Sequence, residues 1–433
     1  MNSLTLSYTM IVGAITVFIP GKFAALPLLL SACLIPGAAV LHIGSFSFNV
    51  IRVLLILYTF RIIIKNEAYG FALNMVDKAV LVYTAAVFLI GFVPREDLAF
   101  TYRLGQIYDL AGFYFTFRIL VRSKETLMVT MCGIAVFIIL LACLMFYEQM
   151  AASNLLGHFG GPLYPTIRDG KIRAQGAFAH AILAGTVGAT TAGIFLGSWF
   201  EKNGLKWLYF TGVAGSLVIV WASASSGPVM SAIFLAIGIA AWHVRDRMPM
   251  IRWGIVIILL LLHIFMKAPV WYLISRIDIT GSSTGWHRSE IITSAITYFN
   301  EWWLFGTDYT RHWMPTGVSW SPRHSDITNQ YIREAVRGGL LQVTLYMVII
   351  IKAFKYVGHI IRSINNQHKS EQFTMWCLGA VLFSHTITFL SVGYFDQSNL
   401  FFILNIGLIA SGEEYIIKQG NYEKVNYKSI GSF

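Results

Sequence analysis

Residues 268–339 read APVWYLISRIDITGSSTGWHRSEIITSAITYFNEWWLFGTDYTRHWMPTGVSWSPRHSDITNQYIREAVRGG. This stretch determines how the whole chain is interpreted, because it is long, aromatic and dense in polar groups, whereas apolar runs surround it on both sides. We expect the surrounding runs to form a helical scaffold, and we expect this segment to carry the chemistry.

The composition indicates an integral membrane protein. Hydrophobic residues make up 56% of the 433 residues and charged residues only 12%, whereas a soluble domain carries about 25% charged residues. The formal net charge is +11, and we attribute much of it to lysine and arginine in loops at a membrane surface. Nucleic acid is therefore not an expected partner.

The apolar runs predict an all-α, polytopic membrane helix bundle. A membrane span needs about 20 mostly apolar residues, and about 12–13 runs qualify. The count is a range since the first run is short and the fifth contains Asp109 and Gly112. No linker or internal repeat divides the chain, so residues 1–433 are expected to form a single membrane domain. The predicted spans cover residues 5–20, 23–42, 46–64, 74–93, 105–121, 126–147, 177–198, 206–222, 227–244, 251–267, 336–356, 372–391 and 396–412.

The distribution of cations predicts which side of the membrane each loop occupies. Lysines and arginines cluster in every second short loop, for example at Arg118, Arg122 and Lys124, and such loops face the cytoplasm. The two longest loops, 148–176 and 268–335, then share the external face. We expect these two loops together to form the active site.

An amphipathic helix is predicted inside the long external loop. Its apolar residues recur at helical spacing, its polar residues lie mostly elsewhere on the helical wheel, and Gly306 is expected to end it. Such a helix is suited to lying along the membrane interface. The apolar positions are Ile291, Ile292, Ala295, Ile296, Phe299 and Trp303, and the polar ones are Arg288, Ser289, Thr293, Asn300 and Glu301.

The end of the long loop carries polar residues three or four positions apart: Asp326, Asn329 or Gln330, Arg333 and Arg337. On the first turns of a helix, this spacing forms one polar stripe. One interpretation is a structural external cap, with arginines on lipid headgroups and tryptophans in an aromatic belt. The other is a functional site, which the mixture of acidic, amide and basic groups favours because such groups are costly at membrane depth.

The loop at 148–176 supplies a second group of cations. Arg168, Lys171 and Arg173 precede a predicted helix start at which His180 lies, and basic groups before a helix N-terminus suit an anion. The alternatives are a lipid-headgroup contact for the cations and a packed or capping role for His180. Arg52, in the third apolar run, either snorkels to the interface or faces an internal cavity.

Several chemistries lack their sequence patterns. The chain contains no Walker A motif and no His-Glu-x-x-His or Cys/His spacing for a metal ion. Residues 223–228 (SASSGP) predict a tight external turn and not a nucleophile elbow. We expect no metal and no cofactor, and we interpret the four cysteines as small hydrophobic residues: Cys33, Cys132, Cys143 and Cys377.

The order of these motifs resembles the bacterial O-antigen ligase and O-antigen/exopolysaccharide polymerase superfamily. The resemblance covers roughly residues 150–360, and no single motif is specific. The matching segments are 173–180 (RAQGAFAH), 223–228 (SASSGP), 286–306 and 328–339 (TNQYIREAVRGG).

The chain departs from the ligase branch of that superfamily in two places. It has Thr328 and Asn329 where ligases tend to have His-Asn, and its turn has Ser225 and Ser226 where ligases often have Ser-Arg. These departures favour the polymerase branch, and in particular an exopolysaccharide repeat-unit polymerase.

The resemblance implies metal-independent glycosyl transfer at the outer face of the bacterial inner membrane. The donor would be an oligosaccharide on undecaprenyl diphosphate, and the reaction would polymerise repeat units. The alternatives are a ligase that transfers the glycan to lipid A core and, in another class, a flippase or transporter of lipid-linked oligosaccharides. Membrane lipid is an expected partner, and the sequence leaves open whether a chain-length regulator protein is required.

Such a transfer needs cations for the leaving diphosphate, a general base and sugar-binding groups. For the diphosphate we expect Arg173, Arg288, Arg333 and Arg337, with Arg276 and Arg311 as further candidates. For the base we expect His324 or Asp326, with Asp308 as a third candidate. For sugar or acceptor binding we expect Trp286, Trp303, Trp313, Asn329 and His180.

Overall fold

A computed structural model describes residues 1–94, 100–200, 205–276, 285–364 and 368–414, and 73% of the structure is helical. The helices are α1 (Ser3–Phe18), α2 (Leu26–Leu34), α3 (Val50–Ile64), α4 (Met75–Ile90), α5 (Phe100–Ile107), α6 (Phe113–Leu120), α7 (Lys124–Ala151), α8 (Ala181–Trp199), α9 (Lys206–Ala222), α10 (Ser226–Ala240), α11 (Met248–Phe265), α12 (Leu273–Arg276), α13 (Gly285–Thr297), α14 (Phe299–Trp302), α15 (Gln330–Ser363), α16 (Lys369–Thr388) and α17 (Ser398–Gly412).

Four helical segments of the described chain are long and apolar enough to cross a membrane: Lys124–Ala151, Ala181–Trp199, Ser226–Phe265 and Gln330–Ser363. The third comprises α10, α11 and the 3₁₀ turn between them. Shorter apolar helices accompany these four, at Ser3–Phe18, Gly21–Leu34, Lys206–Ala222 and Ser398–Gly412. The structure is thus mostly helical, with four candidate membrane spans.

Two β-hairpins depart from the all-α prediction. The run 23–42 does not form one span, because α2 ends at Leu34 before Pro36, and Val40–Ile43 (β1) then pairs with Phe46–Asn49 (β2). The second hairpin, in the 148–176 loop, pairs Thr166–Arg168 (β3) with Lys171–Arg173 (β4). Its turn is Asp-Gly with positive φ at both residues, the usual two-residue hairpin connection.

Helix α8 lies at the centre of the scaffold. Almost all of its residues are buried, and it packs against α9, α10 and α16. Small residues allow this close approach between helices. A Cβ atom at Gly185 would lie 2.5 Å from Ser223 Oγ and 2.5 Å from Pro228 Cγ, so the turn between α9 and α10 is packed directly against α8.

The fifth predicted span is a continuous helical segment in the structure, with a π-helical turn at Tyr108–Gly112 between α5 and α6. Asp109 lies in that turn, and both of its carboxylate oxygens accept hydrogen bonds from Arg52, at 2.8 and 2.7 Å. The sequence left two interpretations of Arg52 open, and the structure supports the internal cavity, because Arg52 lines one together with Asp109. Such π turns are frequent at functional sites.

The described part of the long external loop has a small hydrophobic core of its own, formed by Ile291, Ala295, Trp313, Met314 and Val336. The predicted amphipathic helix exists as α13, but it ends at Thr297, and the short α14 follows Tyr298. Its buried face packs on this core, so α13 contributes to the core of the loop in addition to any contact with a membrane interface.

Part of the predicted apolar stripe is exposed, namely Ile296, Phe299 and Trp303. These side chains lie outside the loop core and remain free to contact an interface.

A pair of glycines breaks α15 into a short polar part and a long apolar part. Gly338 and Gly339 have non-helical backbone angles, and Gly339 has φ +70°. A Cβ at Gly339 would lie 2.3 Å from the carbonyl oxygen of Leu304, so only glycine lets the turn after α14 pack here. The polar stripe therefore lies on a separate helical segment before the break.

Replacing Trp313 with alanine should destabilise the loop core by about 3–5 kcal/mol, because it empties a large buried volume. Trp313 is 3% exposed, whereas Trp320 in the same loop is 73% exposed and provides the matched control Trp320→Ala. Limited proteolysis of the membrane-embedded protein, followed by peptide mapping, would measure the effect. Faster cleavage within residues 285–329 is expected for Trp313→Ala alone, and equal resistance of both variants would contradict this core.

Candidate functional site

The predicted external loops meet at one end of the helical scaffold. The N–H of Ala174, after β4, donates to the carbonyl of Ala222 at 3.0 Å. The N–H of Ala179 donates to Asp396 Oδ2 at 2.7 Å. His287 Nε2 of α13 lies 2.8 Å from the carbonyl oxygen of Asp326. Segments that are far apart in the sequence therefore form one surface, as their predicted common sidedness requires.

The first cavity at this surface has a volume of about 660 Å³, and we call it the cationic cavity. Four basic residues contribute to its lining: Arg168, Lys171, Arg173 and Arg288. Asp169 is the one acidic residue among the described residues that line it, and it lies 3.6 Å from Arg168. The lining therefore carries an excess of positive charge.

Arg173 is buried and Arg288 is partly buried, and neither has a carboxylate partner among the described residues. Arg173 is 7% exposed, and its guanidinium donates to Ser225 Oγ. The Nε atoms of Arg173 and Arg288 are buried and have no hydrogen-bond partner in the described part of the chain. Burial lowers the pKa of both groups, and the charge of Arg168 lowers it further. Because arginine nevertheless stays charged, an anion in this cavity would satisfy both donors.

The N-terminus of α10 opens onto the same cavity. Ser225 occupies the N-cap position, but its Oγ donates to the carbonyl of Ser223 at 2.8 Å and accepts from Arg173. No side chain among the described residues caps the first N–H groups of α10. The partial positive charge of a helix N-terminus favours an anion, so it adds to the field of the arginines.

The lining of the cationic cavity also has an apolar part. It is formed by Ile182, Val220, Trp221 and Val229. Trp221 packs against Phe146 with 5.8 Å between ring centroids, and both rings are exposed on the outer surface of the helices. The cavity can thus accommodate a ligand that is anionic at one end and hydrocarbon at the other.

His180 borders this site as a hydrogen-bond donor. Its Nδ1 accepts the N–H of Ile182 at 3.2 Å and caps α8, so the proton of the neutral imidazole is on Nε2. Burial lowers the pKa of His180, and the charge of Arg173 acts in the same direction, whereas the charge of Asp326 opposes both. The imidazole therefore stays neutral at physiological pH.

Asp326 is the predicted base that the structure places near His180. Its side chain is exposed, and its charge acts on both His180 and Arg333. None of the three predicted bases lines either cavity, and no charge interaction with His180 is found for the other two. His324 Nδ1 lies 2.7 Å from Ser321 Oγ and its ring stacks on Trp320, and Asp308 lies in the turn after Gly306.

The predicted arginines do not converge on one point. Arg333 stacks over Phe395 at 5.5 Å from the ring centroid, and Arg337 Nη2 donates to Tyr102 Oη at 2.8 Å. Phe395, Tyr102 and Arg337 line a second cavity, whereas Arg333 lines neither cavity. Arg311 holds the loop backbone through the carbonyls of Met314 and Pro315, and the exposed Arg276 ends α12. Arg276 and Arg311 line neither cavity.

The predicted sugar-binding residues have mostly structural contacts. Trp313 belongs to the loop core, where its Nε1 donates to Glu301 at 3.2 Å. Asn329 is buried and caps α15 by accepting the N–H of Ile332 at 3.1 Å. Trp286 and Trp303 are exposed, and the carbonyl of Trp303 accepts the N–H of Leu340. Among these four residues, the side chains of Trp286 and Trp303 are the ones exposed for contact with a glycan.

The second cavity, of about 440 Å³, is called the polar cavity here. Sequence reasoning missed most of its residues, although a glutamate between two arginines in α15 and the polar run after α16 were visible signals. Segment 177–182 separates the two cavities, since its first three residues line the polar cavity and Ile182 lines the cationic cavity. The polar cavity adds the following polar residues to the candidate site: Tyr83, Gln330, Glu334, Tyr346 and Asp396.

No protein-family model matches this chain, and no curated protein matches its sequence. Within the described residues, no group of three or more His, Cys, Asp or Glu side chains could hold a metal ion. The function is therefore argued from the two cavities.

The cationic cavity should bind inorganic pyrophosphate. Arg173→Gln and Arg288→Gln are each expected to weaken binding about tenfold or more, because each removes charge-assisted hydrogen bonds. Arg276→Gln is the matched control, since Arg276 has the same charge and lies on the same external loop but outside the cavity. Titration calorimetry on the purified protein measures all three, and equal losses for all three variants would indicate nonspecific attraction.

Proposed function

We propose that this protein is a membrane glycosyltransferase that polymerises undecaprenyl-diphosphate-linked oligosaccharide repeat units. The observation that carries the proposal is the cationic cavity, whose lining combines Arg173 and Arg288, which have no carboxylate partner among the described residues, with apolar side chains. These two kinds of lining residue match the two parts of a polyprenyl diphosphate, which is charged at one end and hydrocarbon at the other. A free sugar phosphate has no hydrocarbon part to contact the apolar side chains.

The arginines have a direct role in such a reaction. The hydroxyl oxygen of the acceptor forms a bond to the anomeric carbon of the donor, and the bond from that carbon to the diphosphate breaks. Negative charge develops on the departing diphosphate, and positive groups placed there stabilise the transition state. Arg173, Arg288 and the N-terminus of α10 supply this charge, and the guanidinium fork can bind two phosphate oxygens at once.

Asp326 is the proposed general base. Its carboxylate is exposed, and its charge acts on both His180 and Arg333, so it is available to accept the proton that the attacking hydroxyl loses. His180 cannot take this proton, because its Nδ1 already accepts a backbone N–H. Its Nε2–H is instead a donor for a phosphate or sugar oxygen. The products are the lengthened glycan and undecaprenyl diphosphate.

The same proposal includes a polytopic arrangement in the bacterial inner membrane, with the two cavities at the outer face. The outward surfaces of helices besides the four long ones carry exposed apolar side chains, such as Met10, Phe60 and Leu217. Extended apolar surfaces of this kind are unusual on proteins in water. The cations in alternate loops give the orientation.

A polymerase is favoured over a ligase by the two positions where the sequence departs from the ligase pattern. The departing residues are Thr328 and Ser226, and Ser226 lines the cationic cavity without supplying the cation of the ligase pattern. A reaction supplied only with lipid-linked repeat units separates the two activities. A polymerase lengthens the glycan in it, whereas a ligase requires lipid A core.

Arg288→Ala should abolish polymer in cells while the protein remains inserted at the normal level. Single repeat units should then accumulate on the lipid carrier at the outer face, because the leaving group is no longer stabilised. Arg276→Ala is the control and should make polymer of normal length. Normal polymer from Arg288→Ala would refute the diphosphate assignment, and repeat units retained at the inner face would indicate a flippase.

Asp326→Asn should lower the initial rate of transfer by about 10²–10⁴-fold, the usual contribution of a general base. His324→Ala should leave the rate almost unchanged, because its imidazole contacts Ser321 and Trp320, whereas the charge of Asp326 acts on His180. Purified protein with lipid-linked repeat units as both donor and acceptor provides the assay. The opposite ranking of these two variants would assign the base to His324.

A further inference from the structure

The polar cavity combines aromatic rings with hydrogen-bonding groups of several kinds. Tyr83, Tyr346, Gln330, Glu334 and Arg337 all contribute to its lining. A sugar ring has an apolar face of C–H groups and hydroxyls that both donate and accept hydrogen bonds. The cavity presents complementary groups for each of these features, and its volume lies within the range of about 300–1,000 Å³ found for small-molecule sites.

The hydroxyl of Tyr346 is the strongest sign that a ligand belongs in this cavity. Tyr346 is 4% exposed, and its Oη has no hydrogen-bond partner among the described residues. The ring is held in place by Tyr83, Phe389 and Phe402 at centroid distances of 5.7–6.0 Å. A buried hydroxyl without a partner is unfavourable, and a ligand hydroxyl in the cavity would provide that partner.

Glu334 is held ready as a hydrogen-bond acceptor. Its oxygens accept from Tyr83 Oη at 2.6 Å, from Gln342 Nε2 at 2.7 Å and from Gln330 Nε2 at 2.8 Å. All three donors are uncharged, and they fix the orientation of the carboxylate. One oxygen, Oε1, accepts only from Gln330 in these bonds, so it has a lone pair for a sugar hydroxyl.

The charges of the lining favour an uncharged ligand. Two arginines, Arg52 and Arg337, face three carboxylates, so the formal sum is 2 − 3 = −1, and Arg52 is already paired with Asp109. A diphosphate would be repelled here, whereas the cationic cavity attracts it. The three carboxylates are those of Asp109, Glu334 and Asp396.

The position of the polar cavity identifies which sugar it would hold. A nucleophile that displaces a leaving group from carbon approaches from the side opposite to that group. If the diphosphate occupies the cationic cavity, the acceptor arrives from the other side of segment 177–182, where the polar cavity lies. His180 and Asp326 lie near this dividing segment, next to the place where the two substrates would meet.

We infer that the polar cavity binds the acceptor oligosaccharide through the sugar that carries the attacking hydroxyl. Tyr346 and Glu334 hydrogen-bond to its other hydroxyls, and the tyrosine rings contact its apolar face. This inference rests on the proposed glycosyl transfer, and it assigns donor and acceptor to separate cavities of opposite charge character.

Tyr346→Phe tests the inference with little risk to folding, because it removes a hydroxyl that has no partner. The probe is the phosphate-free repeat-unit oligosaccharide, released by mild acid from the lipid-linked pool of producing cells. The variant should bind it about fivefold more weakly or worse, the value of one hydrogen bond, and should bind pyrophosphate as the wild type does. Tyr331→Phe is the control, since its hydroxyl donates to the carbonyl of Thr386 and lines neither cavity.

Three results would overturn the inference. In the first, the wild type does not bind the oligosaccharide. In the second, Tyr346→Phe binds it as well as the wild type does. In the third, the variant loses affinity for the diphosphate-linked donor but not for the free oligosaccharide, which would place the donor glycan in this cavity.

These binding measurements do not depend on turnover, so they test the acceptor site separately from the proposed glycosyl transfer. Binding that requires Tyr346, together with no transfer in the polymerase assay, would support a sugar site in this cavity and refute the proposed reaction. Transfer without such binding would support the proposed reaction and refute the acceptor site.

Discussion

The close contact between α8 and the turn that joins α9 to α10 determines the geometry of the whole site. Gly185 has no side chain to hold that turn away, so Ser223 and Pro228 pack against the helix backbone. As a result Ser225 comes within reach of Arg173, and the start of α10 opens beside the start of α8. The cationic cavity lies beside this contact, and the polar cavity is lined by residues 177–179 of the chain that leads into α8.

The break in α15 has an equally definite effect on the external loop. Because the chain turns at Gly338 and Gly339, the turn after α14 can pack against the helix, and Val336 joins the loop core. The polar segment before the break is thereby tied to the loop, while the apolar segment after it belongs to the scaffold. Glu334 and Arg337 lie just before the break, so their positions depend on the loop core and also on the core of the helical scaffold.

Some of this arrangement was accessible from the sequence. Apolar runs indicated a helical scaffold, and the Asp-Gly turn flanked by Thr-Ile-Arg and Lys-Ile-Arg was a readable hairpin signal that a helix-only interpretation passes over. Arg173 and Arg288 were predicted from their charge and their loops, and they do line one cavity. The predicted common sidedness of their loops is a weak constraint, and the cavity agrees with it only in that both arginines contribute to one lining.

Other features depend on tertiary contacts that local patterns do not contain. Helical spacing in α13 cannot distinguish a face that meets a membrane from one that meets Trp313 in the loop core. The amide of Asn329 looks the same in sequence whether it caps a helix or binds a sugar. Arg333 and Arg337 lie apart from Arg173 because of the path that the chain takes between α13 and α15. That path includes many turns without a regular period, so no sequence pattern reveals it.

The exposed rings of Trp221 and Phe146 have a consequence for how the proposed lipid-linked substrate would reach the cationic cavity. Trp221 lines that cavity and packs against Phe146 on the outer surface of α7 and α9, which hydrocarbon chains would cover in a membrane. With the proposed function, a long-chain carrier would enter sideways from the bilayer, and its headgroup would not pass through the aqueous loops. The search for substrate would then take place in two dimensions. The encounter rate would depend on the mole fraction of the carrier among the surrounding lipids and not on its concentration in bulk solution.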